Sequence, residues 1–209
     1  MKEKNIYIIR HGETKYNKLI YLQGSSIDSS LNSTGIEQSK AFYNSYKDVK
    51  FDKIYTSSLK RSIESVQLFI AAGVKNEQYD ELNEINWGVL EGRPLKDEAK
   101  QTIYSLIEKW RNGQINEKIP GGESPVDVAE RQKRVLNKIF TREDEKNILI
   151  STHGRAIRVL ICQLLNKPLT QMEDYDHDNL GLYLLHYGNN NSTPLIKKHN
   201  CAAHLIDLD

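Results

Sequence analysis

The sequence KNIYIIRHGET, residues 4–14, joins a strand pattern to a group of polar residues. Its first part, Lys4–Arg10, is short, apolar and rich in β-branched residues and tyrosine, which predicts a buried strand. The pair His11-Gly12 follows at once. The sequence NILISTHG, residues 147–154, repeats this arrangement, with a buried strand followed by His153-Gly154. Polar residues at strand ends often mark functional sites. The two His-Gly pairs therefore favour a functional role over a role in packing alone.

Further strands and helices alternate around these two segments. Two more strands are predicted at Lys53–Thr56 and Leu180–Tyr187. Apolar residues at helical spacing and capping residues predict helices at Thr34–Lys47, at Leu59–Ile70 with Gly73 as a stop, at Lys96–Arg111, from Ser124-Pro125 onwards, and at Ala156–Leu165. The alternation predicts an α/β fold, a three-layer α/β/α sandwich around a mixed, mostly parallel sheet of about six strands.

Length and composition narrow the class of protein. The chain has 209 residues, and we expect a single domain over residues 1–209. With 29 Lys and Arg against 28 Asp and Glu, the net charge of +1 offers no basic face, which argues against nucleic acid as a partner. The two cysteines exclude a disulfide framework and a four-cysteine zinc site.

No apolar run is long enough for a membrane-spanning segment or for the core of an export signal. The run Ile6–Ile9 is too short for the core of a signal peptide. None approaches the ~18 residues that span a bilayer. We therefore expect a cytoplasmic protein with no membrane partner.

Three polar stretches directly follow predicted buried strands: Arg10–Glu13, Ser57–Arg61 and His153-Gly154. Parallel sheets place their ligand sites beyond the carboxyl ends of the strands. The layout therefore predicts that these three stretches line one pocket.

The two His-Gly pairs belong to a longer series of segments. In chain order the series is residues 8–17 (IIRHGETKYN), 22–24 (LQG), 56–62 (TSSLKRS), 82–92 (LNEINWGVLEG), 120–124 (PGGES) and 151–154 (STHG). Together these segments resemble the signature of the histidine phosphatase superfamily, in its phosphoglycerate-mutase-like branch. The resemblance covers almost the whole chain. It implies an enzyme acting on phosphate esters, with a helical cap inserted at about residues 92–123.

The resemblance also implies a chemistry for the pocket. His11 is then the nucleophile, which forms a phosphohistidine while a backbone carbonyl holds its other ring nitrogen. Arg10 and Arg61, with His153 as a third positive donor if its ring is protonated, supply the charge that neutralises the phosphoryl oxygens, so no metal ion or other cofactor is required. Glu84 corresponds to the proton donor for the leaving oxygen.

Neutral groups complete the candidate site. The Asn17 side chain and backbone amides near Gly24 and Gly154 are expected to donate hydrogen bonds to the phosphate. Gln23 is expected to border the substrate.

Substrate preference is expected to depend on the cap. Trp87, Tyr104 and Trp110 are candidates for pocket walls, although each suits the core equally well. Ile85 and Asn86 occupy positions that are charged or more polar in many members of the family. We expect them to make the entrance less charged and to favour modest apolar phosphomonoesters.

Three functions are compatible with these residues. Mutases of the family carry an adjacent arginine pair in the insert, whereas the insert here contains only Arg93 and Arg111. This difference favours a phosphatase that hydrolyses small phosphorylated metabolites through the phosphohistidine. A cofactor-dependent phosphoglycerate mutase is the alternative. A non-catalytic phospho-ligand binder is a third hypothesis, which the presence of every catalytic residue disfavours. The oligomeric state stays open between monomer and dimer.

Overall fold

The computed structural model describes residues 3–189 and 193–208. Its strands are β1 (Lys4–Arg10), β2 (Lys53–Ser57), β3 (Asn76–Tyr79), β4 (Asn147–Thr152), β5 (Leu182–Tyr187) and β6 (Leu195–Cys201). They form one sheet in the order β3-β2-β4-β1-β5-β6. Strand β4 pairs in parallel with β1 and β2, and β2 with β3, whereas β5 runs antiparallel to β1 and β6. The predicted mixed, mostly parallel sheet is confirmed.

Helices cover both faces of the sheet. They are α1 (Lys15–Lys18), α2 (Ser33–Tyr46), α3 (Lys60–Glu64), α4 (Gln67–Ala71), α5 (Asp97–Arg111), α6 (Pro125–Thr141) and α7 (Gly154–Leu164). Short 3-10 helices lie at Asp80–Leu82, Gly88–Leu90, Leu169–Asp174 and Ala203–Leu208. No helix of the described part of the chain combines the length and the apolar character that crossing a bilayer needs.

Two apolar clusters form the core, one on each face of the sheet. Ile6 and Ile8 of β1 belong to the cluster that includes side chains of α5, α6 and α7. Ile9 belongs to the cluster that includes side chains of α2 and α4. Because successive strand residues point to opposite faces, β1 contributes to both clusters. The sandwich therefore has the three layers that the sequence predicts.

The start of α6 has the capping residues that the sequence predicts. Oγ of Ser124 accepts a hydrogen bond from N–H of Asp127 at 3.2 Å, and Oδ2 of Asp127 accepts one from N–H of Ser124 at 2.9 Å. Pro125 occupies the first helical position, where its missing N–H costs nothing. The predicted cap of this helix is confirmed.

The start of α2 differs from the prediction. Its N-cap is Asn32, whose side chain accepts a hydrogen bond from N–H of Gly35 at 2.9 Å. The start predicted at Thr34 is wrong, because Asn32 is itself a strong N-cap residue and ends the preceding extended segment two residues earlier.

The helix predicted over Leu59–Ile70 is interrupted. Helices α3 and α4 are separated at Val66, where φ is −120°. Oγ of Ser65 donates to the carbonyl of Arg61 at 2.6 Å and accepts from N–H of Gly12 at 2.9 Å. The interruption therefore lies next to a polar contact with the turn after β1, which an apolar periodicity does not reveal.

The carboxyl ends of β1, β2 and β4 lie at one edge of the sheet. Arg10 is in register with Thr152, and Thr56 with Ser151. N–H of His11 then donates to the carbonyl of Thr152 at 2.9 Å. The polar stretches that follow these strands are consequently brought together at this edge.

Candidate active site

His11 is buried at the carboxyl end of β1. Its Nδ1 lies 2.8 Å from the carbonyl oxygen of Gly12. Because a carbonyl only accepts hydrogen bonds, Nδ1 carries the proton and Nε2 keeps its lone pair. Burial, together with the charges of Arg61 and Arg10, lowers the pKa of His11 well below its usual value. His11 therefore presents a neutral imidazole, in which Nε2 is nucleophilic.

His153 lies beside His11, with 5.1 Å between the ring centroids. Nε of Arg61 donates to Nδ1 of His153 over 3.2 Å, so the ring proton is on Nε2, which lies 2.7 Å from Oγ of Ser57. Burial and the charge of Arg61 lower the pKa of His153 well below its usual value. The condition under which His153 would be a third positive group, a protonated ring, is not met in this structure, because the neighbouring guanidinium disfavours an imidazolium.

The guanidinium of Arg61 is wholly buried and donates most of its hydrogen bonds to other residues of the protein. Besides its contact with His153, Nη1 donates to the carbonyl of Ile27 at 2.5 Å and Nη2 to that of Gly24 at 3.1 Å. Burial lowers the pKa of Arg61 to about 10, which leaves the group charged at neutral pH. Three of the five N–H groups of an arginine are thus used within the protein.

Arg10 has a free donor. Its Nη1 donates to the carbonyl of His177 at 2.9 Å, but its buried Nε has no hydrogen-bond partner among the described residues. Leaving a buried donor unsatisfied costs about 1–3 kcal/mol. An anion in the neighbouring cleft would satisfy this donor with a charge-assisted hydrogen bond.

The carboxylate of Glu84 lies at the amino terminus of α7. Its Oε1 accepts from the N–H groups of Ile85 and Ala156, both at 2.9 Å, and its Oε2 from that of Arg155 at 3.2 Å. The first N–H groups of a helix have no acceptor within the helix and favour a negative group. The residues that follow the second His-Gly pair thus hold Glu84 in place.

Asn17 and Gln23 meet at the side chain of Thr14. N–H of Thr14 donates to Oδ1 of Asn17 at 3.1 Å, and its Oγ1 donates to Oε1 of Gln23 at 2.8 Å. Both amide side chains line the same cleft as His11. The structure therefore brings these two predicted residues to the candidate site.

Two glycines permit close approaches around the site. A Cβ atom at Gly24 would lie 1.9 Å from Oε1 of Glu91, and one at Gly154 would lie 2.9 Å from the ring of His177. Gly24 contributes its carbonyl to Arg61, and Gly154 begins α7. Both predicted glycines are therefore next to the cluster of charged groups.

These groups border a cleft of about 240 Å³. Its polar side includes Arg10, His11, Asn17, Gln23, Glu84 and Gly154. The apolar and aromatic side includes Tyr21, Leu22, Trp87, Ile103, Tyr104 and Ile107. Arg61, His153 and Gly24 lie behind this lining, where Arg61 hydrogen-bonds both His153 and Gly24. All nine predicted site residues thus occur in or directly behind one cleft, and their chemical roles stay predictions.

The aromatic candidates divide between cleft and core. Trp87 and Tyr104 line the cleft, whereas Trp110 is fully buried and stacks on Trp87 with 6.0 Å between ring centroids. Ile85 is also in the core, with 1% of its surface exposed. The expectation that Ile85 shapes the entrance is wrong, because the chain turns the carboxylate of Glu84 toward α7 and Ile85 into the apolar cluster.

Three residues of the site are not among those predicted from the sequence. Arg155 and His177 line the cleft, and Nδ2 of Asn179 donates to the carbonyl of His11 at 2.8 Å. Arg155 has a usable signal, since it directly follows His153-Gly154. The other two precede β5, and no sequence pattern marks them. They reach the site because β5 runs antiparallel to β1, so that β5 begins where β1 ends.

The profile of the histidine phosphatase superfamily (branch 1) matches residues 6–201. The match includes every predicted site residue. The chain belongs to the histidine phosphatase superfamily. Membership makes it an enzyme that acts on phosphate esters.

Relatives within the superfamily carry different names. "Probable phosphoglycerate mutase GpmB" of Erwinia tasmaniensis is 31% identical over 168 residues, which cover 78% of this chain and 75% of the relative. "Fructose-2,6-bisphosphatase TIGAR B" of Danio rerio is 32% identical over 155 residues, which cover 72% of this chain and 56% of the relative.

Solved structures of the superfamily have the same fold. The alpha-ribazole phosphatase from Shigella flexneri superposes with a TM-score of 0.81 at 24% identity, over 95% of this chain and 96% of that one. A mycobacterial glucosyl-3-phosphoglycerate phosphatase superposes with a TM-score of 0.83 at 23% identity, over 95% of this chain and 99% of that one. At these identities the likeness concerns the fold.

Proposed function

We propose that this member of the superfamily is a metal-independent phosphoric monoester hydrolase of the histidine acid phosphatase type, which acts on small phosphorylated metabolites in the cytoplasm. The observation that carries the proposal is a neutral His11 in the same cleft as the unsatisfied Nε of Arg10. The imidazole can attack phosphorus, and the guanidinium favours an anion beside it.

The first chemical step transfers the phosphoryl group to His11. Nε2 of His11 attacks phosphorus in line, the P–N bond forms and the P–O bond to the leaving group breaks. Glu84, protonated in the substrate complex, gives its proton to the leaving oxygen. Arg10 and Arg61 neutralise the charge on the other phosphoryl oxygens.

The second step returns the enzyme to its starting state. Glu84 takes a proton from a water molecule, whose oxygen attacks phosphorus as the P–N bond breaks. The electron pair of that bond returns to Nε2 of His11, and phosphate leaves. Because the arginines supply the positive charge in both steps, the proposed reaction uses no metal ion.

The two arginines of the 92–123 segment support hydrolysis over transfer to a second phosphorylated acid. The side chain of Arg111 is 51% exposed and forms an ion pair with Glu108 at 2.6 Å. Arg93 is exposed as well. Neither lines the cleft, so neither is positioned to hold a carboxylate or a second phosphate there.

The test is phosphate release from p-nitrophenyl phosphate, sugar phosphates and 3-phosphoglycerate in excess EDTA. We expect release by the wild type, none by His11→Ala, and wild-type rates for His186→Ala. His186 is the matched control, since it hydrogen-bonds Asn5 at 2.8 Å and does not line the cleft.

Each other outcome contradicts a stated part of the proposal. Activity that is lost in EDTA and restored by Mg²⁺ or Zn²⁺ refutes metal independence. Release that persists in His11→Ala refutes the nucleophile. No release from any ester, with activity in a bisphosphoglycerate-primed mutase assay, establishes the mutase alternative.

A further inference from the structure

Glu84 lies in a connecting segment rather than in a helix or strand. The 3-10 helix Asp80–Leu82 ends two residues before it, and the next one begins at Gly88. A general acid must stay within hydrogen-bond reach of the leaving oxygen, and a displacement of about 1 Å can lower the rate about 10²-fold. The backbone of this segment therefore has to be fixed by contacts from elsewhere in the chain.

Arg131 of α6 supplies two of these contacts. Its Nη1 donates to the carbonyl of Glu81 at 2.7 Å, and its Nη2 donates to the carbonyl of Glu84 at 3.1 Å. Because the guanidinium is planar and rigid, it holds the two carbonyls in a fixed relation to each other. One side chain thus fixes the backbone up to and including the candidate proton donor.

Glu123 holds both Arg131 and the other end of the segment. Its Oε1 accepts from Nε of Arg131 at 2.8 Å, and its Oε2 accepts from Nη2 at 3.1 Å. The same Oε2 accepts from N–H of Asn86 at 2.9 Å, and N–H of Glu123 donates to the carbonyl of Asn86 at 2.8 Å. The ion pair of Glu123 and Arg131 therefore contacts the backbone on both sides of Glu84.

The ion pair is partly shielded from water but lies outside the cleft. The side chain of Arg131 is 12% exposed and that of Glu123 is 25% exposed. Water and salt therefore screen the pair less than an exposed one, and its bidentate geometry makes it specific. Neither residue lines the cleft, so an effect of either on the reaction has to pass through Glu84.

We propose that Arg131 and Glu123 are positioning residues, which hold the carboxyl group of Glu84 within reach of the leaving oxygen. The proposal rests on the proposed function, in which Glu84 gives its proton to that oxygen. Loss of the ion pair should therefore slow the esters whose leaving group needs a proton, and spare those whose leaving group departs as a stable anion.

The test compares two such esters in each variant. 2-Phenylethyl phosphate has an alcohol as its leaving group, which needs a proton, whereas p-nitrophenyl phosphate releases p-nitrophenolate without one. In Arg131→Met we expect the ratio of kcat/KM, alkyl ester to aryl ester, to fall about tenfold or more from the wild-type value. Glu123→Gln should lower the ratio as well. Arg131→Lys should retain part of it, since lysine keeps the charge but not the planar fork.

Arg134→Met is the matched control. Arg134 lies three residues further along α6, and its Nε is 3.7 Å from the carboxylate of Glu81, but its side chain is 71% exposed. An exposed ion pair of this kind contributes little, so the ratio for the two esters should stay as in the wild type. A ratio measured within one variant does not depend on how much of the protein is folded.

A double variant tests whether Arg131 acts through Glu84. In Glu84→Gln the alkyl ester has already lost its proton donor, so adding Arg131→Met should leave the ester ratio as it is in Glu84→Gln alone. A further fall of the ratio in the double variant would show that Arg131 acts on the reaction by another route, which overturns the proposal.

The remaining failures are distinguishable. If Arg131→Met keeps the wild-type ratio, the positioning role is refuted while the phosphatase activity stands. If Glu84→Gln slows both esters equally, the proton donor is refuted, and the positioning role with it. If the wild type releases no phosphate from either ester or from any other monoester, the proposed function itself fails.

Discussion

The arginines that would hold the phosphate also keep the candidate nucleophile unprotonated. Burial and the charges of Arg61 and Arg10 lower the pKa of His11, and the carbonyl of Gly12 fixes the remaining proton on Nδ1. One cluster thus provides both an anion site and a neutral imidazole. Sequence reasoning identifies these residue types, but the protonation states depend on burial and on distances that only the folded chain defines.

Glu84→Gln tests the role of the carboxyl group. Glutamine keeps an oxygen that can accept from Ile85 and Ala156, but it has no proton to give to a leaving group. We expect kcat for an alkyl phosphate to fall by about 10²–10³-fold. The fall should be much smaller for p-nitrophenyl phosphate, because p-nitrophenolate leaves without protonation. Steady-state kinetics on both esters provide the measurement, and equal losses would mean that Glu84 only positions α7.

Helix α7 shows what one element can and cannot reveal in sequence. Its apolar residues predict a buried helix, and its place after His153-Gly154 predicts a position at the site. Its first N–H groups also hold the carboxylate of Glu84, which lies 71 and 72 residues earlier in the chain than the two donors. This contact is a feature of the tertiary structure. No sequence pattern within the helix predicts the contact with Glu84.

The edge strand β3 escapes prediction for a different reason. Its sequence, NEQY, has no apolar alternation and low strand propensity. It forms by pairing in parallel with β2, whose residues Ile54–Ser57 are buried. Central elements such as β1 and β4 carry their own signal, because burial on both faces demands apolar side chains.

Ser124→Ala tests the cap of α6. The substitution removes the acceptor for N–H of Asp127, which lies 3.2 Å from Oγ. We expect the free energy of unfolding to fall by about 1 kcal/mol, measured from urea denaturation curves. Ser45→Ala is the control, since Ser45 is an exposed serine within α2. It should be neutral or slightly stabilising, and an equal loss in both variants would contradict the capping argument.

The whole molecule determines the composition of the cleft. The sequence correctly predicts that the ends of β1, β2 and β4 meet, since this follows from parallel pairing. It does not predict His177, which enters from the segment before β5 and binds Arg10 through its carbonyl. That contribution depends on β5 being the antiparallel neighbour of β1, which the run of apolar residues in β5 does not specify.

Acid should destabilise the folded protein. Burial, reinforced by neighbouring arginines, lowers the pKa of His11, His153 and His177 in the folded state, that of His177 to about 2. In the unfolded chain these groups titrate near a pKa of about 6.5. Below that pH the histidines bind protons in the unfolded state but stay neutral in the folded state. The free energy of unfolding therefore falls as the pH decreases from 7 to 5. Each histidine contributes up to about 1.4 kcal/mol per pH unit.

Urea unfolding at several pH values between 7.5 and 5 measures this slope. His177→Gln should make the slope shallower, because one of the three groups no longer takes up a proton on unfolding. His186→Gln is the control at a histidine outside the cleft, and it should retain more of the wild-type slope. Stability that does not change over this range would show that the three imidazoles are not held neutral.

The central position of β1 in the sheet has a consequence for biosynthesis. Asn5 contacts Asn147, 142 residues later in the chain, and it pairs with His186 on the other side. At a translation rate of about 5–20 residues per second, β1 waits roughly 7–28 s after its own synthesis for its first neighbour. During that time its apolar residues Ile6–Ile9 have no native strand beside them, so the nascent chain presents an aggregation-prone segment that a ribosome-associated chaperone would have to cover.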